Sequence, residues 1–139
     1  CDLLAFGISS IGKIDDCYSQ NVRTLDEYYV ALDSGRLPVL RGLRLDQDDL
    51  LRRELIGELM CQFNLDTKRF AGQHQIDFQT YFKTEIEELK DLEKAGLLEW
   101  REKDIFVPIK GRLLARRVAM TFDRHLRESQ AKGTYSKVL

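Results

Sequence analysis

Apolar residues recur every three or four positions through most of residues 46–128, and one stretch in the middle breaks that period. The helical spacing predicts three amphipathic helices, each with one buried face. Over residues 97–109 the pattern changes to alternating apolar and charged residues around a Glu-Lys-Asp turn, which is typical of a β-hairpin. Pro108 is expected to confine the second strand of this hairpin to a sheet edge. The sequence therefore predicts a mostly helical α+β fold.

Capping signals set the expected bounds of the three helices. Asp46 opens the first, over residues 46–63, and Asp77 opens the second, which Gly96 ends. The third covers residues 112–128 and is followed by a frayed tail. A polar link is expected over residues 66–75. The predicted inward positions of the first helix are Leu51, Leu55, Ile56, Leu59, Met60, Cys61 and Phe63; those of the second are Phe78, Phe82, Ile86, Leu89 and Leu92; those of the third are Leu114, Val118, Phe122 and Leu126.

The first 45 residues are organised differently. Residues 2–12 form an apolar run that suits an interior strand of a parallel sheet. Small residues at its end either let a ligand approach the backbone or form an ordinary turn; they are Gly7, Ser9, Ser10 and Gly12.

A loop is expected next, over residues 13–23. Thr24 and Glu27 have capping-box spacing and open a helix that Gly35 ends, with an apolar stripe of Leu25, Tyr28, Tyr29 and Leu32. Residues 36–45, with Pro38 and Gly42, are predicted to be an extended connector. We therefore expect two domains, residues 1–35 and residues 36–139.

Charge and composition narrow the functional classes. The net charge is −1, so attraction of the whole molecule to nucleic acid is not expected. No apolar run is long enough for a membrane helix, and the protein is predicted to be cytoplasmic. The chain has no initiator Met and begins within an apolar run, so we expect a piece cut from the C-terminal end of a larger protein.

Few residues could carry chemistry. The chain has 2 His and 3 Cys, all widely separated, so the pattern predicts neither a nucleophile with its base nor a metal site. Two arginine groups could bind carboxylates in a bidentate way, or could simply form surface ion pairs. They are Arg41, Arg44, Arg52 and Arg53 around the connector, and Arg112, Arg116 and Arg117 in the last helix.

Three stretches carry a resemblance to a known family. Residues 7–11 read Gly-Ile-Ser-Ser-Ile and lead to Cys-Tyr-Ser-Gln-Asn at 17–21; Arg41-Gly42 precedes an Asp-Asp-x-x-Arg-Arg motif at 48–53; Lys-Gly-Arg-Leu-Leu-Ala-Arg occupies 110–116. Together with Tyr-Ser-Lys-Val-Leu at 135–139, they resemble the C-terminal third of oxygen-independent coproporphyrinogen III oxidases. The resemblance covers essentially the whole chain.

The resemblance implies a radical S-adenosylmethionine enzyme of haem biosynthesis, which decarboxylates two propionates of coproporphyrinogen III to vinyl groups. It implies that residues 1–35 are the last strand and helix of a parallel α/β barrel, and that residues 36–139 form a winged-helix-like domain over the barrel mouth. The family's [4Fe–4S] cluster is held by a C-x-x-x-C-x-x-C motif that this sequence lacks. Ile11 matches a family residue that contacts S-adenosylmethionine.

The expected partners are therefore the N-terminal barrel of the same polypeptide and the substrate, with no nucleic acid, no membrane and a monomeric state. The chain alone is expected to be inactive and to hold no catalytic residue or metal ligand, and Arg41 and Arg44 are the candidates for meeting substrate propionates. Relatives that handle haem without this decarboxylation remain an alternative within the family. The alternative outside it is a winged-helix module that binds nucleic acid or protein, since residues 111–139 contain 7 basic and 2 acidic residues.

Overall fold

The computed structural model describes residues 1–131 and divides the chain into two compact units. The first unit is Cys1–Leu50 and the second is Leu51–Leu139. Both mix helices with a small antiparallel sheet, so the predicted α+β class is confirmed. The frayed tail predicted after residue 128 falls largely outside the described residues. The domain boundary predicted after residue 35 stays a prediction.

The first unit is built on a three-stranded antiparallel sheet. Its strands are β1 (Ile11–Ile14), β2 (Cys17–Asn21) and β3 (Val39–Arg44), in the order β1-β2-β3. Ile11 pairs with Gln20 and Tyr18 pairs with Leu43. Helix α1 (Leu25–Asp33) connects β2 to β3 and starts at the predicted N-cap, where Thr24 Oγ1 accepts a hydrogen bond from the Glu27 amide.

The strand predicted over residues 2–12 is wrong in extent and pairing. Leu3 forms an isolated bridge with Lys13, and the regular strand begins only at Ile11. Gly7 and Ser9 have φ angles of 89° and 59°, and left-handed backbone of this kind interrupts an extended chain. β1 and β2 are joined by two residues, Asp15 and Asp16, a connection that only antiparallel strands can make. The loop predicted over residues 13–23 is also wrong, because the end of β1 and the whole of β2 lie in this stretch.

The connector predicted over residues 36–45 is extended, as expected, but most of it is strand β3. The predicted stripe of α1 is not buried. Leu25 and Tyr29 are each 58% exposed, and Leu32 is 43% exposed, whereas Ala31 is the buried residue of this helix. A 50-residue unit with one thin sheet does not cover both faces of its own helix.

The second unit contains most of the helices. α2 (Gln47–Gln62) begins in the first unit and is capped by Asp46 and Asp49, whose carboxylates accept each other's backbone N–H groups at 2.9 and 3.2 Å. After it come β4 (Asn64–Leu65), α3 (Thr67–His74), α4 (Phe78–Tyr81), α5 (Lys83–Lys94), β5 (Glu99–Arg101), β6 (Asp104–Phe106), a 3-10 helix (Ile109–Leu114), α6 (Ala115–Met120) and α7 (Arg124–Ala131).

The core of the second unit follows the predicted stripes. Its fully buried residues come from α2, β4, α3, α5, β6 and α6 and from four positions between elements, Phe82, Leu98, Val107 and Phe122. The full set is Leu55, Leu59, Leu65, Phe70, Phe82, Leu89, Leu98, Ile105, Val107, Val118 and Phe122. Phe82 is at the centre of an aromatic cluster, with its ring centroid 4.9 Å from Phe78 and 5.3 Å from Phe122. Gly96, with φ 71°, ends α5 as predicted.

Four predictions for residues 51–96 of this unit are wrong. The polar link at 66–75 contains α3, which Asp66 caps through the Arg69 amide. Cys61 is exposed, because Leu55 and Leu59 set the buried face of α2 and Cys61 is on another side. Met60 is also 39% exposed. The helix expected over residues 77–96 is interrupted at Phe82, which separates α4 from α5.

The hairpin is confirmed, but its second strand is not at an edge. β4 pairs with β6, so the sheet order is β4-β6-β5 and β6 is central. Pro108 lies beyond β6 at the start of the 3-10 helix, so it removes no ladder hydrogen bond.

The helix predicted over residues 112–128 is divided into three pieces, and Leu114 is 53% exposed instead of inward. Among residues 1–131, each helix falls short of the length and apolarity needed to cross a bilayer.

Candidate functional site

Ile11 begins strand β1, and its side chain is 57% exposed. The turn before it is held by the chain's own polar groups. Asn21 is buried, and its side-chain N–H donates to Gly7 O at 2.9 Å, while the Ser9 amide donates to Val22 O at 2.7 Å. This turn presents Ile11 as an exposed apolar side chain at the start of the sheet.

Gly12 is needed for a close approach within the protein. A Cβ at this position would lie 3.0 Å from Ser19 Oγ and 3.2 Å from both Ala5 Cβ and Leu3 O. Its missing side chain lets the segment around Leu3 bridge to Lys13. The structure thus supplies a folding reason for Gly12, and the ligand role predicted for the Gly/Ser segment stays a proposal.

Arg41 and Arg44 lie on strand β3, and each has a partner within the first unit. Arg41 Nε donates to Gln20 Oε1 at 2.9 Å, and Arg44 Nε donates to Asp16 Oδ2 at 2.8 Å. Arg52, predicted to join them, belongs to the second unit, where it is 2.8 Å from the buried carboxylate of Glu85. The Arg52 side chain is therefore a core element and not available for a ligand.

The Asp16 ion pair changes two pKa values. The hydrogen bond from Arg44, with a second from the Cys17 thiol, lowers the pKa of Asp16 below its usual value. The pKa of Cys17 is raised, chiefly because its Sγ donates to Asp16 Oδ1 at 3.3 Å. Cys17 is thus held as the thiol, which is neither the nucleophilic nor the metal-binding form of cysteine.

We expect the Arg44→Gln variant to raise the pKa of Asp16, because the variant loses the charged donor. Since the folded-state pKa of Asp16 is the lowered one, the pair stabilises the fold above the unfolded-state pKa, and this stabilisation is lost as pH falls through the folded-state value. An NMR titration of the Asp16 carboxyl carbon measures the change. Arg41→Gln is the matched control on the same strand, and an Asp16 pKa that moves equally in both variants would contradict the assignment.

The residues that the structure describes do not fit an iron–sulfur cluster or another metal. Cys1, Cys17 and Cys61 are all free thiols, and no group of three or more His, Cys, Asp or Glu side chains among residues 1–131 could hold a metal ion. His74 has a structural environment, since its Nε2 is 3.4 Å from Glu54 and its ring centroid is 4.4 Å from that of Phe70.

A cationic and apolar surface lies in the second unit. No Asp or Glu occurs between residues 105 and 122, whereas Lys110, Arg112, Arg116 and Arg117 fall in this stretch. All four cations are exposed, as are Ile109 at 81% and Leu113 at 96%. Arg101 and Lys110 were missed as site candidates by motif reasoning, and the signal that would have found Lys110 is the absence of carboxylates around it.

Comparisons with known proteins agree on one family. The family model described as HemN C-terminal domain matches residues 45–114. The oxygen-independent coproporphyrinogen III oxidase of Escherichia coli K12 is 40% identical over 138 residues, which are 99% of this chain and 30% of that protein. The enzyme of the same name from Helicobacter pylori 26695 is 40% identical over 98% of this chain and 29% of its own length.

A solved structure, described as coproporphyrinogen III oxidase (HemN) from Escherichia coli, a radical SAM enzyme, superposes with a TM-score of 0.82. It is 41% identical and covers 89% of this chain and 29% of its own. The fold thus defines an α+β chain of two compact units, each with a small antiparallel sheet, whose described residues contain no metal-binding group. The chain belongs to the HemN C-terminal domain family, and it spans about three tenths of the length of the two curated relatives named above.

Proposed function

We propose that this chain is the C-terminal part of an oxygen-independent coproporphyrinogen III oxidase, a radical S-adenosylmethionine enzyme that converts coproporphyrinogen III to protoporphyrinogen IX. The observation that carries the proposal is the TM-score of 0.82 at 41% identity to a solved enzyme of this activity. Sequence identity near 40% also extends over essentially the whole chain in relatives of the same name. The nucleic-acid alternative gains no support from these comparisons.

In this proposal the redox chemistry belongs to another part of the polypeptide. A [4Fe–4S] cluster with S-adenosylmethionine, held by cysteines elsewhere in the polypeptide, would supply the radical chemistry; the described residues of this chain include no group that would hold it. The C-terminal region shapes and closes the substrate site, and it is inactive alone. The parent enzyme is a cytoplasmic monomer that binds neither nucleic acid nor a membrane.

The first unit supports a contact with the rest of the enzyme. Phe6 and Leu37 are 80% and 83% exposed, and Leu4, Val30 and Leu40 are exposed by half or more. Apolar surface of this extent is typical of an interface with further polypeptide. We infer that residues 1–35 belong to the C-terminal end of the radical S-adenosylmethionine barrel domain, where they form an antiparallel hairpin and a helix. Residues 36–139 then form a winged-helix-like domain, with Ile11 against S-adenosylmethionine and with Arg41 and Arg44 as candidates for meeting substrate propionates.

A chimera tests the function directly. The matching C-terminal region of the Escherichia coli enzyme is replaced by this chain, and the purified, anaerobically reconstituted chimera is assayed for protoporphyrinogen IX. We expect turnover in the chimera and none in the Escherichia coli protein truncated before this region. A folded chimera that holds its cluster and cleaves S-adenosylmethionine but never decarboxylates the substrate would refute the proposal.

The same chimera tests Ile11. Ile11→Ala removes apolar contact area and is expected to weaken S-adenosylmethionine binding by about tenfold. Ile14→Ala is the matched control, since Ile14 is on the same strand and is 53% exposed against 57% for Ile11. If the two variants have equal affinity for S-adenosylmethionine, Ile11 does not contact the cofactor, and the proposed activity is unaffected by that result.

A further inference from the structure

A shallow depression of about 550 Å³ lies beside the hairpin of the second unit. Its lining combines apolar groups with two cations; the residues are Arg101, Phe106, Pro108, Ile109 and Lys110. The depression is open to solvent, so a ligand would lie against it, and like small-molecule sites in general it joins apolar walls to a few placed polar groups. This combination suits a ligand that has both an apolar body and negative charge.

The two cations of the depression are held differently. The central carbon of the Arg101 guanidinium lies over the Phe106 ring, 3.3 Å from its centroid, and Nη2 has a long contact of 3.4 Å to Glu99 Oε2. Lys110 makes no hydrogen bond or ion pair within residues 1–131, and its Nζ would be 3.3 Å from a Cβ placed on Gly96, next to the C-terminal end of α5. Arg101 is thus held in place by a cation–π contact, while Lys110 is available to an incoming anion.

The surrounding field is also positive. Arg112 lies over the Phe63 ring at 4.6 Å, and Arg116 and Arg117 follow on α6. None of these three has a carboxylate partner within the described part of the chain, although Arg44, Arg69 and Arg127 elsewhere do have one. Four unneutralised cations within eight residues attract an anion with several charges.

We propose that this depression binds an amphiphilic polycarboxylate, namely the propionate-bearing edge of a tetrapyrrole. The proposal rests on the function inferred above and adds a contact site for that substrate class. Lys110 and Arg101 bind carboxylates, and the side chains of Phe106, Pro108 and Ile109 cover the apolar edge of the macrocycle. Charge complementarity selects this occupant over an uncharged apolar one, because burial of the cations against an uncharged surface would desolvate them without compensation.

Binding to the 139-residue chain tests this site. The probe is coproporphyrin III, which carries four carboxylates and is stable in air, and binding is followed by its fluorescence and by amide NMR shifts. We expect saturable binding with the largest shifts at residues 101–112. The Arg101→Gln, Lys110→Gln double variant is expected to lose about tenfold or more in affinity, because two charge-assisted contacts are removed.

The Lys90→Gln, Lys94→Gln double variant is the matched control. It removes the same charge from exposed ion pairs of α5 and is expected to bind normally. The tetramethyl ester of the probe is expected not to bind. Equal loss in both double variants, binding of the ester as tight as that of the acid, or displacement of the probe by mixed-sequence DNA would overturn the proposal. A chimera without turnover whose isolated chain still binds the acid selectively would refute the enzyme assignment and keep the anion site.

Discussion

Replacing Glu85 with alanine is expected to lower the free energy of unfolding by about 3–5 kcal/mol, the range for breaking a buried ion pair by removing one partner. Glu85 is 3% exposed, and its Oε1 accepts hydrogen bonds from Arg52 Nη1 at 2.8 Å and Arg127 Nη1 at 3.2 Å. Without this carboxylate, the positive charge of Arg52, whose side chain is only 13% exposed, loses its ion-pair partner.

The loss extends to the junction between α6 and α7. Arg52 Nη1 also donates to Phe122 O at 3.1 Å, and Arg127 Nη2 donates to Thr121 O at 2.9 Å. These carbonyls lie where the helix is interrupted, and Glu85 holds both guanidinium groups against them. Urea unfolding followed by circular dichroism measures the effect, and amide exchange at residues 121–123 should increase with it.

Glu87→Ala is the matched control for this experiment. Glu87 is two positions along the same helix and pairs with Lys90 at 2.7 Å, but both side chains are more than half exposed. Such a surface pair contributes less than about 1 kcal/mol. If Glu85→Ala and Glu87→Ala destabilise equally, the buried cluster does not stabilise the junction.

This junction also shows why sequence reasoning predicted one helix where there are three pieces. The apolar period through Val118, Phe122 and Leu126 is continuous, so it indicates an uninterrupted helix over residues 112–128. The carbonyls freed by a break need donors, and these come from Arg52 and Arg127, one of which is 70 residues away along the chain. No local pattern could reveal that donor.

Other elements were predictable to different degrees. The hairpin and the buried leucines of α2, Leu51, Leu55 and Leu59, followed from turn residues and period, and they are confirmed, although the predicted stripe also included the exposed Met60 and Cys61. Helix α3 was missed because a single large apolar residue, Phe70, anchors it, and one residue defines no period. β2 was missed because Tyr18 and Asn21 carry no strand-like alternation; its place is set by pairing with strands on both sides.

The family could be inferred from motifs, but the anion site could not. Lys110 and Arg112 were within a recognised motif, and nothing in the motif showed that Arg101 and Phe106 of the hairpin border the same depression. That neighbourhood depends on how the 3-10 helix packs after β6. Gly111, between Lys110 and Arg112, controls this packing.

Gly111→Ala is expected to destabilise the protein by about 1–3 kcal/mol, the usual cost of forcing extra volume into a packed interior. Gly111 is buried, and a Cβ on it would lie 2.5 Å from Leu97 O and 3.1 Å from Leu97 C. Both atoms are backbone, so the contact is relieved only if the 3-10 helix moves away from the segment that precedes β5. Thermal and urea unfolding measure the change.

The variant should also weaken the anion site, because the same movement displaces Lys110 from the depression beside Arg101. Gly57→Ala is the matched control, since Gly57 lies within α2 and a Cβ there meets nothing within 4 Å. Alanine is expected to stabilise that helix by about 0.5–1 kcal/mol and to leave probe binding unchanged. A Gly111→Ala protein as stable as the parent would show that the Leu97 backbone shifts to accept the added Cβ. The close approach between Gly111 and Leu97 would then not be what positions the cations.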